Sequence, residues 1–533
     1  MGQMQVLRTD SFVGGLNLRA DPFQLQPNES PDLLNVDVDP RGGLSMRSGF
    51  ERINTTAVDS IANGSFTPEQ LYSWYRTSPQ IILSANSKVF FSTGGNFTDT
   101  TIAVSSADGG HFAPWSGSSS DVLYVASGVA TTTMSKWSGS ASTALTASAT
   151  GAWQDSLTNP NGTHMPRSNF VAAHVDRLWV ASTRENGTDF PNRVRFSHPN
   201  FPESWREIDF IDIVEGGSGI TAMMPFGGAL IVFKQNSIHA IYGYDTDTFQ
   251  VVTLTSSLGT PSSHSVAVTE GGLFFFDWPD GVFLYDGKEF SDLFEKLRPL
   301  QQTINDSHLT NIHLSHADNR LWLSVPIATA TTATHTYVFD PTIEAWTLYR
   351  LSDSAGLISP IDFVASTGTR SLVAAHPTDA FVLKQTVNIS QDDIRGTDTS
   401  FSSYYVAPWL DAGVVSAKKM WRRPDFVVPV PAVATRITVQ AYRDWEEATV
   451  HRLFYLDLTV PTGGLQWQAE AAEPDANLGW GEAPWGADPT GAQFVRGGNL
   501  GSARAIRLKM SGPGGKPWGV NSITYKYNPR RIR

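Results

Sequence analysis

GGLFFFDWPDGVFLYDGKEF, residues 271–290, sets an unbroken apolar run against an Asp- and Gly-bearing turn and then repeats the layout. Its aspartates, Asp277, Asp280 and Asp286, admit two readings: a carboxylate-bearing active-site loop, or the turns of one unit in a repeat. Asp-Gly pairs supply the positive φ of a tight hairpin turn, and Asp side chains cap the backbone donors beside them. Whether the layout recurs along the chain decides between the readings.

Six further segments share it: QIILSANSKVFFST from Gln80, DVLYVASGVATTTMSKW from Asp121, DRLWVASTRENGTDFPNRVRFS from Asp176, GALIVFKQNSIHAIYG from Gly228, NRLWLSVPIATATTATHTYVFD from Asn319 and RSLVAAHPTDAFVLKQ from Arg370. Aligned on Ile82, Leu123, Leu178, Leu230, Leu273, Leu321 and Leu372, they recur every 41 to 55 residues. The segment from Asp121 is the weakest copy. A strand pair in every unit of roughly 40 to 50 residues is what four-stranded propeller blades produce, each sheet burying its faces against its neighbours.

The chain therefore reads as all-β. Residues 60–395 are expected to form a β-propeller of six or seven blades, and residues 396–533 a β-sandwich-like domain. The polar stretch NISQDDIRGTDTS, residues 388–400, marks the change. Beyond it, ATRITVQAYRDW, RLFYLDLTV and ARAIRLKM alternate as half-buried antiparallel strands do. Residues 1–59 lack the blade layout and are expected to be an extended arm or a closure of the ring. The Gly- and Pro-rich insert EAAEPDANLGWGEAPWGADPTG reads as an exposed loop carrying Trp480 and Trp485, a candidate host or partner contact.

A chain of 533 residues, 41% of them hydrophobic, is globular and too long for one ordinary core. It has no cysteine, which excludes a disulfide framework, a thiolate metal site and a cysteine nucleophile, and suits a reducing cytoplasm. MGQMQVLRTDSF lacks the apolar core of a signal peptide, and no window approaches about 18 uninterrupted apolar residues, so no membrane segment is expected. The net charge of -12 is uneven: residues 401–533 hold 16 Lys and Arg against 11 Asp and Glu, the first 400 hold 23 against 40. An acidic body carries a mildly basic C-terminal part.

Catalytic and metal signatures fail on spacing. His313 and His316 would face opposite sides of one strand, and the Asp245 and Asp247 pair lacks the rest of a calcium loop. SHADNRLW, residues 315–322, departs from the Asp box of sialidase propellers in spacing and in lacking Gly. No nucleophile elbow or phosphate loop is present. Glycoside hydrolysis would need two facing carboxylates, and 40 acidic residues in the body conceal any such pair. The expectation is a non-enzyme with no cofactor and no metal. Positive charge gathers at KKMWRR, with Lys418, Lys419, Arg422 and Arg423, and at the terminal YKYNPRRIR. Basic residues interleaved with aromatics can stack and neutralise nucleic acid, though nearby acids dilute that term.

The N-terminal FVGGLNLRADPFQLQPNESPDLLNVDVDPRGGLSMRSGFERI resembles the opening of tail proteins of bacteriophages. The residues that carry the resemblance are Gly14, Gly15, Leu16 and Asn17, then Pro22, Glu29, Leu34, Asn35, Gly43, Leu44, Arg47 and Gly49. ALIVFKQNSIHAIYG with GGLFFFDWPDGVFLYDGKEFSDL resembles blades of the tail nozzle and phage stabilisation proteins of short-tailed phages. PWLDAGVVSAKKMWRRPDFVV, residues 408–428, is similar to the segment that opens their C-terminal β domain.

The resemblance implies a structural virion protein of the tail, assembled in the host cytoplasm. Such proteins form a homohexameric ring that extends the portal and adaptor channel, retains the genome and conducts double-stranded DNA at ejection. Implied partners are other copies of the chain, adaptor and portal-proximal tail proteins, and tail fibres or spikes. The N-terminal motif and the basic cluster would serve assembly. An acidic body facing the channel would let duplex DNA pass without the counterion release that makes proteins hold it. The competing expectations are a tail-associated propeller glycan depolymerase and a host-receptor-binding tail protein.

Overall fold

The structure, a computed structural model, describes residues 4–60, 65–106, 108–116, 121–128, 132–145, 166–185, 187–459 and 492–529. Almost all regular structure is strand, and the strands between Pro68 and Tyr349 fall into consecutive antiparallel sheets of four. Six such sheets run in strict chain order, each strand pairing with the next; they begin with Pro68–Trp74, His111–Ser116, Arg167–His174, Ile220–Phe226, Val266–Thr269 and His313–Ala317. A seventh begins with Ile358–Val364. These small sheets have the form of propeller blades.

The seven alignment residues all lie on the second strand of their sheet, and each is buried. Gln80–Ala85, Ala229–Lys234 and Gly272–Asp277 are buried at every position, which explains their unbroken apolar runs. A strand covered on both faces does not alternate between apolar and polar residues. Successive residues instead serve opposite neighbours: Leu273 and Phe275 pack with the fourth sheet through Ile231 and Phe233, while Phe274 and Phe276 pack with the sixth through Leu321 and Leu323. Trp322 turns the other way, onto Leu372 of the seventh sheet. Leu83 of the first sheet shares a core with Val373 and Val382 of the seventh, so the last sheet packs against the first.

The seventh sheet takes its fourth strand from the N-terminal segment. Gly49–Arg52 pairs antiparallel with Val382–Thr386, in register Phe50 to Gln385. Residues 388–400, read from sequence as a divide, add two outer strands to this sheet, Gln391–Asp393 and Asp398–Ser400. Asp398–Ser400 is exposed at the outer edge, while Gln391–Asp393 is half-buried with Asp392 fully buried.

The N-terminal segment also enters the C-terminal sheets. Gln5–Thr9 pairs with Ser522–Pro529, Asp32–Leu34 with Tyr404–Val406, and Leu44–Met46 with Gly519–Val520. The main C-terminal sheets share one apolar core: Trp421, Phe426, Ile523 and Tyr525 from one, Tyr405, Ile437, Leu456 and Leu508 from the other. Thr435–Arg443 shows the alternation of a strand buried on one face. That core continues to Trp346 of the sixth sheet through Phe12, Leu16 and Val36. Residues 4–52 are thus a strap that stitches the C-terminal sheets to the sixth and seventh sheets. No helix among the described residues is long and apolar enough to cross a membrane.

Candidate functional site

The first strands of all seven sheets line one cavity of about 450 Å³, with Tyr72, Phe112, Phe170, Met223, Val266, Leu314 and Ile361 each from a different sheet. A space this small holds a few side chains or a small molecule. Duplex DNA, whose major groove alone is about 12 Å wide, does not enter it.

At one end of the cavity three imidazoles stack. His111, His264 and His313 sit at or just before the start of the first strands of the second, fifth and sixth sheets, and the side-by-side packing of first strands brings them together. The rings of His111 and His264 lie 5.5 Å apart and 9° from parallel; those of His264 and His313 lie 5.3 Å apart at 12°. His264 Nε2 donates to the Asp108 carbonyl at 2.9 Å, which leaves Nδ1 as the bare nitrogen. Burial, helped by neighbouring His264, pushes His111 down to about 3. Burial brings His264 to about 4 against the raising effect of the Asp108 carbonyl, and holds His313 well below the ordinary histidine value. All three are neutral at pH 7. Near-parallel rings direct their in-plane lone pairs side by side, whereas a metal ion needs them to converge.

His264 and His313 also line a second cavity of about 280 Å³, together with Glu69. The Glu69 carboxyl is buried, accepts from the Ser84 hydroxyl at 3.1 Å, and is pushed up by that burial to about 8. It is the one carboxyl among the described residues lining either cavity. A protonated acid beside neutral imidazoles leaves the lining of this second cavity without formal charge at neutral pH.

The quoted aspartates are turn and strand-end residues. Asp286 Oδ1 accepts from the amides of Lys288 and Glu289 at 2.7 and 2.8 Å. Asp280 lies in the turn and faces Arg298 at 3.6 Å. Asp277 ends its strand buried, accepts from Gly259 N at 2.7 Å, and is raised to about 6 by burial.

The N-terminal motif builds the strap's joint, through contacts within the chain. Arg47 and Asp392 form a bidentate pair at 3.0 and 2.8 Å, both fully buried. Asp392 also accepts from Phe50 N and Ser352 N, and the Arg47 guanidinium lies 3.7 Å from the Phe401 ring centroid. Asn35, at a φ of 53°, accepts from Arg47 Nε and Arg350 N and donates to the Ser402 carbonyl. Asn17 Oδ1 accepts from the amides of Arg19 and Ala20, and Leu16 is buried. A side chain at Gly49 would overlap the Gln391 carbonyl, and one at Gly15 the Trp346 carbonyl. Gly14 abuts Glu29, Gly43 faces Asn521, and half-buried Leu34 pairs with Tyr404.

Of the basic cluster, Lys418, Arg422 and Arg423 are exposed. Lys419 is not a surface residue: it is buried and its Nζ donates to the Val414 and Arg504 carbonyls, because Lys419 and Trp421 share the inward parity of their strand. Arg422 and Arg423 line a groove with Arg496 and Lys526, and Asp425 pairs with the latter two. Trp480 and Trp485 lie outside the described residues.

Sequence reasoning missed the histidine stack, whose members are far apart in the chain, and a cluster of Asp353, His376 and Asp379. His376 Nδ1 accepts from Asp379 N at 2.9 Å, so Nε2 carries the proton and donates to Asp353 at 2.9 Å. Arg395 pairs with Asp379, completing an ion-pair network with no imidazole lone pair left for a metal.

No family model matches the chain, and no curated protein matches it. Among solved structures it is similar to the extracellular domain of BT4673 from B. thetaiotaomicron, at 10% identity and a TM-score of 0.36, over 76% of this chain. The chain spans 44% of the length of that protein. It is also similar to BBS1N in complex with ARL6DN, at 8% identity and a TM-score of 0.37, covering 64% of this chain and 97% of that one. The computationally designed Ika8 protein aligns at 9% identity and a TM-score of 0.35, over 63% of this chain and 99% of its own.

Proposed function

We propose that the seven sheets close into a seven-bladed propeller joined to a C-terminal β-sandwich, and that the chain is a structural tail protein of a short-tailed bacteriophage. In this reading copies join head to tail into a homohexameric nozzle ring, which retains the genome and conducts DNA at ejection. The observation that carries it is the strap. The residues of the phage-like motif are those that lock the C-terminal sheets to the sixth and seventh sheets, through the buried Arg47, Asn35 and Asp392 network. Two parts held rigidly in one orientation can repeat a fixed rotation from copy to copy, as a closed ring requires.

The propeller axis is too narrow for DNA, so the conduit is the lumen between copies. An acidic body and a basic C-terminal groove are complementary surfaces for a head-to-tail contact. Adaptor and portal-proximal proteins would meet one face of the ring, fibres or spikes the other. The depolymerase reading draws no support from the axial cavities, where Glu69 has no second carboxyl to work with. Virions lacking the protein should lose their DNA; particles that keep their genome and infect normally would overturn the proposal.

A further inference from the structure

Away from the axis and the strap's joint, three aromatic side chains from distant parts of the sequence meet at the surface. Phe23, Trp409 and Trp445 line a pocket of about 340 Å³ together with Asp411 and Val415. The volume lies at the lower end of the range for small-molecule sites, about 300 to 1,000 Å³. Trp409 forms a buried wall, while Phe23 and Val415 are each 57% exposed at the rim. The rings of Phe23 and Trp445 are 6.0 Å apart and tilted by 67°.

The backbone under Trp445 is unusual. Thr435–Arg443 ends in a tight turn in which Glu446 N returns to the Arg443 carbonyl at 3.1 Å. The two central residues, Asp444 and Trp445, have φ of 51° and 67°. A turn with both central φ positive favours Asn-Gly, and a bulky residue at the second place is strained. The turn is anchored by Asp444, whose backbone N donates to Ala505 O at 3.0 Å and whose carboxylate accepts from Arg504 N. Strain retained at a residue that projects into a pocket marks a position kept for what its side chain touches.

Charges of both signs surround the pocket. Asp411 lines it and Glu447 accepts from Trp409 Nε1, while Arg507 lies over the Trp409 ring at 5.6 Å and pairs with Glu447. Lys419 lies near enough to Asp411 and Asp444 to feel the charge of both. A quaternary ammonium would meet an aromatic wall whose ring already faces a guanidinium, which disfavours a cation. Asp411 Oδ1 is held by Gly413 N at 2.9 Å, which leaves Oδ2 to accept from a ligand. Aromatic walls for an apolar ring face and one carboxylate oxygen for hydroxyls suit a neutral sugar.

We propose that this pocket binds a neutral pyranose, with its C–H face on Trp445 and its hydroxyls on Asp411. The site does not depend on the chain forming a ring. The test uses the full chain and methyl pyranosides of glucose, galactose, mannose, rhamnose and N-acetylglucosamine, read by saturation-transfer NMR. At least one should bind saturably with a dissociation constant in the millimolar range. Asp411→Asn and Trp445→Ala should each weaken it tenfold or more. Trp445→Gly, which also relieves the strained backbone, should abolish binding while leaving the melting temperature unchanged or higher. No saturation by any of the sugars up to 50 mM, binding indifferent to these substitutions, or tetramethylammonium bound in preference to every sugar would each overturn the proposal.

Discussion

Glu69→Gln should stabilise the protein increasingly as pH rises, although it alters a single buried side chain. In the unfolded chain Glu69 ionises at about 4.5, whereas in the folded protein burial holds the proton on until about 8. A group whose folded value is raised contributes stability in full below its unfolded value, and that contribution is lost as pH climbs toward the folded value. Each unit of difference is worth about 1.4 kcal/mol, so the native carboxyl costs about 4 kcal/mol at pH 8 relative to a neutral amide of the same shape. Gln keeps the acceptor for the Ser84 hydroxyl and never ionises. Urea unfolding at pH 4.5, 6, 7 and 8 measures the difference directly. Variant and native protein should coincide near pH 4.5 and diverge steadily above it, in the variant's favour. A constant offset, or a native protein more stable than the variant at pH 8, would refute a buried protonated Glu69.

Further predictions follow from the same geometry. The histidines act with the opposite sign. His264 falls from about 6.5 unfolded to about 4 folded, so its stabilising effect is complete above pH 6.5 and is lost below it. His264→Leu should shrink the native protein's loss of stability between pH 7 and pH 5 by about 2 kcal/mol, as read from the same urea curves. Arg47→Ala strands Asp392 without its counter-charge and should cost about 3 to 5 kcal/mol, with faster amide exchange along Gly49–Arg52 than in the second to fifth sheets. Gly49→Ala should weaken the same sheet by displacing the Gln391 carbonyl, lowering the melting temperature without altering the pH dependence set by Glu69.

What the sequence made legible was the strand buried on both faces. Leu273, Leu321 and their counterparts mark the repeat because sheets press on that strand from either side, and both parities must be apolar. The first strands are quieter in sequence: they face a narrow cavity that accepts His111, Pro225 or Ser315 as readily as Leu314. Closure of the seventh sheet was hidden for another reason. GFER is four residues long, and its partner strand lies more than 300 positions away. Residues 388–400 read as a divide because their two strands are only three residues long and the outer one lies on an exposed edge, where nothing selects for apolar residues. The histidine stack left no local signal. His313 and His316 stand three places apart on one strand, whereas the neighbour of His313 in space is His264, from the adjacent sheet. Lys419 could have been separated from Lys418 by strand parity, since Trp421 two positions on sets the inward face.

Electron-microscope class averages of the purified full chain bear on the proposed closed ring, whose lumen would carry the DNA. Sixfold rings with an open centre wide enough for a duplex are expected; single copies at every concentration would overturn the proposal.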